Sequence, residues 1–319
     1  RTEMKSLSHL IVGMLMAATI FLSAACEHRD LCYDHSHWTD LKVEFDWSEA
    51  PDATPRTMVV YLFPRDGGLP QRYEITDVKN ETKVRVPSGE FDAVTFNGDT
   101  ETLKEQGTTY ANFVVTTANE SLLAPMERNI TNVPPPRPDG TENDPVKQTP
   151  DKVWSGSVEN ISIVPLETPQ PLRFTPKEAT VTYTIILKDA KNTNTGIGVS
   201  VALTAIAESY SPSADVAVGR VVTVPIGLSV IDDTTLKGEV TVFGHCPVMK
   251  SERRHILTVY TSKMKYYEYD VTDQLHEAPD PHYITIIIEG IELPAPDGTG
   301  MTPSVPDWDD VVNNDLDMG

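Results

Sequence analysis

The chain has 319 residues, with 47 acidic against 26 basic side chains and a formal net charge of −21. So acidic a surface repels phosphate backbones, which excludes nucleic acid as a partner, and it argues against adsorption to an anionic leaflet by charge alone. The length suffices for two domains of ordinary size.

Residues 1–25 have the parts of a secretory signal peptide: Lys5 for positive charge, an uncharged apolar run from Leu10 to Leu22, and the small residues Ser23-Ala24-Ala25. The run is short for a membrane-spanning helix, which needs ~20 apolar residues. Cys26 follows at once, where a lipoprotein signal peptidase cleaves after the thiol has been alkylated with diacylglycerol. The place three residues before it holds Ser23 instead of the usual leucine, with Leu22 one step further back. The expectation is a lipoprotein of the cell outer membrane, surface-exposed and held by acyl chains (palmitate) on Cys26. Losing Arg1, Lys5 and Glu3 with the leader makes the formal charge one unit more negative. Cys32 and Cys246 are then the remaining thiols; an exported compartment permits a disulfide between them, and a free buried thiol fits equally.

From residue 38 on, apolar residues recur with period two, the mark of half-buried strands. Leu41, Val43, Phe45 and Trp47 alternate with Lys42, Glu44 and Asp46. Met58–Phe63 is fully apolar, ended by Pro64 and the turn Asp66-Gly67-Gly68. Further strands are predicted at 71–76, 82–87, 90–97, 110–117 and 153–164, then at 172–188, 197–207, 217–229, 236–243, 255–262, 265–272 and 282–290. Branched and aromatic residues dominate these runs because they suit a pleated surface. Thr100–Gln106 is expected to be a short helix and Thr272–Leu275 a single helical turn.

About seven strand runs in each half predict an all-β chain of two tandem sandwiches. The expected division is a 1–25 leader, a 26–38 tether, a first domain over 39–168, a second over 169–293, and a tail over 294–319. The Pro-rich stretch 131–150 is assigned to a long surface loop inside the first domain, because cutting there would strand Trp154–Val164 at the head of the second.

No nucleophile elbow, phosphate loop, dinucleotide fingerprint or H-E-x-x-H zinc motif occurs, so an enzyme is not expected, and neither is a cofactor. His28, Asp30, Cys32, Asp34, His35 and His37 are metal-ligand types, but they stand beside the anchor and before the first strand, and read as a polar tether rather than a metal site. Asp307, Asp309, Asp310, Asp315 and Asp317 lack a calcium-loop pattern and read as a solvated tail. Tyr266, Tyr267 and Tyr269, with Met264, suit either a sugar-binding face or, for Tyr267 and Tyr269, a strand face packing inward.

The string Cys26-Glu27-His28-Arg29-Asp30-Leu31-Cys32-Tyr33-Asp34-His35, with Phe45-Asp46-Trp47, Val60-Tyr61-Leu62-Phe63-Pro64, Phe96-Asn97-Gly98-Asp99-Thr100 and the Asp307-Trp308 ending, resembles a Bacteroidales lipoprotein family of unassigned function. That family is similar to the FimB/Mfa-type fimbrial anchor and fimbrillin-like proteins. The resemblance implies transthyretin-like β-sandwiches, an outer-membrane lipoprotein and fimbrial subunits as partners, with a role in cell adhesion. Subunits of such fimbriae join by strand addition, which needs an open sheet edge and an extended segment with spaced apolar residues. The tail supplies a candidate donor in Val305, Trp308, Val311 and Leu316, although Pro303 and Pro306 interrupt it. The leading expectation is an anchor or accessory of a fimbrial polymer; a surface glycan- or protein-binding module is the alternative.

Overall fold

The computed structural model describes residues 38–126, 133–193, 196–245, 254–295 and 308–313. Strands dominate it throughout, as alternation predicts. In chain order they are β1 (Trp38–Phe45), β2 (Met58–Pro64), β3 (Gln71–Ile75), β4 (Thr82–Pro87), β5 (Gly89–Asn97), β6 (Leu103–Gln106), β7 (Val114–Thr117), β8 (Trp154–Ile163), β9 (Gln170–Phe174) and β10 (Lys177–Glu178). Then come β11 (Val181–Lys188), β12 (Val199–Ser211), β13 (Val216–Gly227), β14 (Ser229–Asp232), β15 (Thr235–Val242), β16 (Ile256–Thr261), β17 (Lys265–Asp270), the helix α1 (Thr272–His276), β18 (Tyr283–Glu289) and β19 (Asp309–Asn313).

The first sandwich packs the sheet β4-β1-β9 on the sheet β10-β8-β5-β2-β3. Its core takes one face of each strand: Leu41 and Val43, Met58, Val60 and Leu62, Phe91 and Ala93, Leu172 and Phe174. In the second, β14-β15-β11-β18 faces a sheet built on β13, β12, β16 and β17. Tyr183, Ile185, Leu187, Val201, Leu203, Leu257, Val259, Tyr267, Tyr269, Ile284 and Ile286 fill the space between. Tyr267 and Tyr269 therefore serve the core.

Several expectations are corrected. The run 172–188 is three strands, because Pro176 cannot donate a ladder hydrogen bond and the chain changes sheets there. Residues 170–178, expected to open the second domain after Thr168, pair instead with the first: β9 runs parallel to β1, and β10 lies against β8. Thr100–Gln106 holds no helix; Leu103–Gln106 is β6, because pairing with β7 outweighs local propensity. The Thr272–Leu275 turn is present as α1.

The halves are spliced. β6 and β7 come from the first half yet extend the second sandwich's large sheet, β7 pairing with β12 at Ser209↔Thr116 and Tyr210↔Val115. β12 is long enough to serve successive neighbours, β16 over Val199–Leu203 and β7 beyond it, with a bulge between Leu203 and Ile206 where Ala205 takes a φ of 60°. An apolar cluster seals the joint: Val59, Phe63, Val94 and Phe96 from the back of the first sandwich meet Phe113, Val115, Tyr210 and Phe243. Phe113 is 1% exposed, with ring centroids 4.8 Å from Tyr61, 5.4 Å from Phe63 and 6.0 Å from Phe96.

Candidate functional site

Residues opposite one another in an antiparallel pair share a face. The register Ala202↔Thr258, Thr258↔Glu268 and Tyr260↔Tyr266 therefore puts these side chains together on the outer face of the large sheet, behind the core. The Pro-rich stretch, expected to stay with the first domain, lies across this face as a strap. Thr223 of β13 donates its N–H to Pro145 O at 2.9 Å and accepts Lys147 N–H at 3.0 Å, Arg137 donates to Thr223 Oγ1 at 2.9 Å, and Tyr260 Oη donates to Pro136 O at 2.6 Å. At Val146 the strap thus forms a short parallel bridge with Thr223 on the outer side of β13, while Pro136 and Arg137 reach over the face.

Trp308 seats beneath the strap. Its ring stands edge-on to Tyr260 (centroids 5.7 Å, 81°) and to Tyr266 (6.4 Å, 73°), and its Nε1 points to Val133 O at 3.4 Å. Leu122 and Met126 complete the pocket. The backbone that follows is β19, lying parallel to β17 with Lys265↔Asp309, Tyr267↔Val312 and Glu268↔Asn313 paired. The edge of the other sheet is closed differently: the Gln274 amide of α1 accepts Ile287 N–H at 2.8 Å and donates to Ile287 O at 3.1 Å, occupying the outer strand β18 as a neighbouring strand would. Such unpaired groups otherwise invite a further strand.

Beside the tail lies a cavity of about 580 Å³, bounded by Pro138 and Asp139 of the strap, Thr204 and Ala205 at the bulge, Arg254, and Glu268. That volume is within the range of small-molecule sites, ~300–1,000 Å³. Burial, reinforced by the Asp139 carboxylate, raises the Glu268 carboxyl above its ordinary value. Arg254 meets Asp270 at 3.4 Å, so its charge is matched away from Glu268.

Of the residues singled out in the sequence, Trp308 and Val311 fall at this edge, Val311 within β19. Val305, Leu316, Cys26, Cys32 and Cys246 lie outside the described residues, as do the His28–His37 cluster and Asp307. The tyrosines divide, Tyr266 turning out to Trp308 while Tyr267 and Tyr269 turn in. Sequence reading missed the strap's destination, the cavity, and a meeting of His245, His255 and His276. These belong to no spaced motif, and His255 follows the charged run Glu252-Arg253-Arg254 rather than standing inside an apolar strand. Among the described residues no group of His, Cys, Asp and Glu is placed to hold a metal ion, and no helix is long and apolar enough to cross a membrane.

A family profile described as a domain of unknown function, DUF5119, matches residues 25–227. The chain belongs to the DUF5119 family. The match takes in the first sandwich, the strap and the second sandwich as far as β13. No curated protein matches this DUF5119 chain. Among solved structures it is similar to an adhesin candidate from Bacteroides ovatus, at 19% identity and a TM-score of 0.61, over 86% of this chain and 98% of that one. It is also similar to the fimbrial anchor protein Mfa2 from Porphyromonas gingivalis (14%, TM-score 0.50, 79% and 90%). A candidate polysaccharide-binding protein from Bacteroides thetaiotaomicron gives 10%, a TM-score of 0.51, and 79% and 91%. At such identities the likeness is one of fold, and it extends over both sandwiches.

Proposed function

We propose that this DUF5119 protein is a cell-surface structural protein: an outer-membrane lipoprotein, held by lipid on Cys26, that anchors or accompanies surface fimbriae by strand addition. The observation that carries the reading is the edge of β17, where an extended tail is laid down as an extra strand and fixed by one aromatic anchor, Trp308. An edge filled by a detachable segment of its own chain is suited to exchange that segment for one from a neighbour, since the backbone hydrogen bonds given up are remade. Sequence without a catalytic motif, and a fold shared with Mfa2, support a structural role over an enzymatic one. On this reading fimbrial subunits are the partners, and a Cys32–Cys246 bridge would tie the tether to the second sandwich.

A cysteine pair at Lys265 and Asp309, which face each other in the register, tests the edge directly. Paired parallel strands bring Cα atoms within the span a disulfide needs, ~4.4–6.8 Å. Oxidised cells should then attach fewer fimbriae, and a reductant should restore them. Normal attachment with the tail locked would refute exchange at this edge, and fimbriae unchanged on deletion of the gene would refute the role altogether. Mass spectrometry of the mature protein should find a diacylglyceryl group on Cys26.

The cavity under the strap favours a second reading, a surface module that binds a small ligand or glycan. A glycan array without hits for the wild type, and no cavity ligand lost on Glu268→Gln, would remove it.

A further inference from the structure

Three histidines meet in the second sandwich. His245 follows β15, His255 precedes β16 and His276 ends α1; their ring centroids lie 5.4, 5.1 and 5.0 Å apart. His255 is wholly buried. Its Nδ1 lies 3.2 Å from Thr204 O, and a carbonyl oxygen only accepts, so Nδ1 carries the hydrogen. The Nε2 of neutral His255 is then a bare acceptor, and His276 Nε2, 3.0 Å away, is the N–H that donates to it. On the far side His245 Nδ1 is 2.7 Å from Tyr183 Oη. Burial keeps that phenol protonated, and its O–H donates to a bare Nδ1 or, turned about, lets Oη accept from an Nδ1–H. The contact between the Nε2 atoms of His255 and His276 thus holds one hydrogen and no more.

Added protons are accommodated unequally. One at Nδ1 of His276 leaves the contacts above intact. One at Nε2 of His255 sets two N–H groups against each other, and one at His245, although Tyr183 Oη can turn to accept it, puts a further charge 5.4 and 5.1 Å from the other two rings. The surroundings offer little compensation. β11 contributes Tyr183, β12 the Thr204 carbonyl, and β17 Asp270, whose carboxylate meets Arg254 at 3.4 Å and Thr272 Oγ1 at 2.6 Å. α1 adds Asp273 in its first turn and is followed by Glu277. Burial, with repulsion from His255 and His276, lowers the His245 pKa to about 4, and burial lowers His255 too. A depressed imidazole leaves the closed form at full strength above its ordinary range, and costs stability progressively as pH falls below it.

The position matters as much as the chemistry. His245 bridges Ile206 just past the β12 bulge, and Gly244 O accepts Ala207 N–H at 3.0 Å. This is the point where β12 passes from β16 to the first-half strand β7, and Phe243, two residues back, belongs to the cluster sealing the halves. We propose that His245, His255 and His276 form an acid-sensitive latch on the joint between the two sandwiches, closed while the rings are neutral and released once protonation goes beyond the single proton they can share.

Amide hydrogen exchange of the full chain between about pH 7 and about pH 4.5, corrected for the intrinsic pH dependence, tests this. Protection at Ile206, Ala207 and Ile256 should fall at least about tenfold, while amides of β2 and β5 in the first sandwich hold theirs. His245→Asn puts a non-titrating acceptor, Oδ1, where Nδ1 meets the tyrosine hydroxyl, and should flatten the response. Equal loss in both sandwiches, or the same loss in H245N, would overturn the proposal. If H245N does not fold, the ring carbon-bound protons of wild-type His245 and His255 decide it: their titration must coincide with the loss of protection, and titration without loss overturns the latch.

Discussion

Replacing Trp308 with alanine should release the tail while leaving the sandwiches folded. Trp308 is partly buried among Tyr260, Tyr266, Leu122 and Met126. Covering about 100 Å² of indole at about 25 cal/mol/Å² is worth about 2.5 kcal/mol, and its two edge-to-face contacts add roughly 0.5 kcal/mol or more each. The Nε1 bond to Val133 O, at 3.4 Å, is near the outer limit and adds little. The backbone bonds of β19 are largely offset by the entropy of ordering its residues, about 1–2 kcal/mol each. The indole therefore decides docking, and its loss of about 3 kcal/mol corresponds to a docking constant reduced roughly 100-fold. Limited proteolysis read by mass spectrometry should show cleavage within 309–313 accelerated by one to two orders of magnitude, with cleavage elsewhere unchanged. A tail cleaved at the wild-type rate, within about twofold, would refute the view that one side chain holds it.

Phe113→Ala should cost about 3–5 kcal/mol, as for other buried aromatic truncations, and split urea unfolding into two transitions; a single transition would show that the joint does not depend on this ring. Glu268→Gln removes a carboxylate destabilised by burial and by Asp139. A raised carboxyl pKa penalises the fold above the raised value and is relieved as pH falls towards the ordinary one, so the variant should melt higher than wild type at about pH 7, by a degree or two, and equal it near about pH 4. Scanning calorimetry at the two pH values checks the sign.

Strand positions were legible because their cause is local. Alternation in Leu41–Phe45 and the apolar run Met58–Phe63 follow from which faces are buried, and Pro64 marks its own strand end. What alternation cannot carry is partner choice. Leu103–Gln106 has a helix-compatible composition and becomes a strand only because Val114–Thr117 lies ready to pair with it. Gln170–Phe174 follows a Pro-punctuated turn that looked like a boundary, yet its Leu172 and Phe174 fill the first core. The prolines of 133–150 reported an irregular segment, while its resting place depends on single contacts such as Arg137 with Thr223, 86 residues apart. The tail was marked by its spaced apolar residues. The three histidines carried no such mark, since their meeting requires the β12 bulge and the end of α1 to be in place first.

The large sheet runs unbroken from β19 through β17, β16 and β12 to β7 and β6. Its first two strands lie at the tail, and its last two come from the other half of the chain. A pull on the tail is therefore passed sideways through successive ladders and delivered to the aromatic seal around Phe113, with the strap bearing on the same sheet. The tail's ladder has three paired positions and β7 meets β12 at only two, so at that narrowest seam the load falls on the aromatic side chains rather than on the backbone.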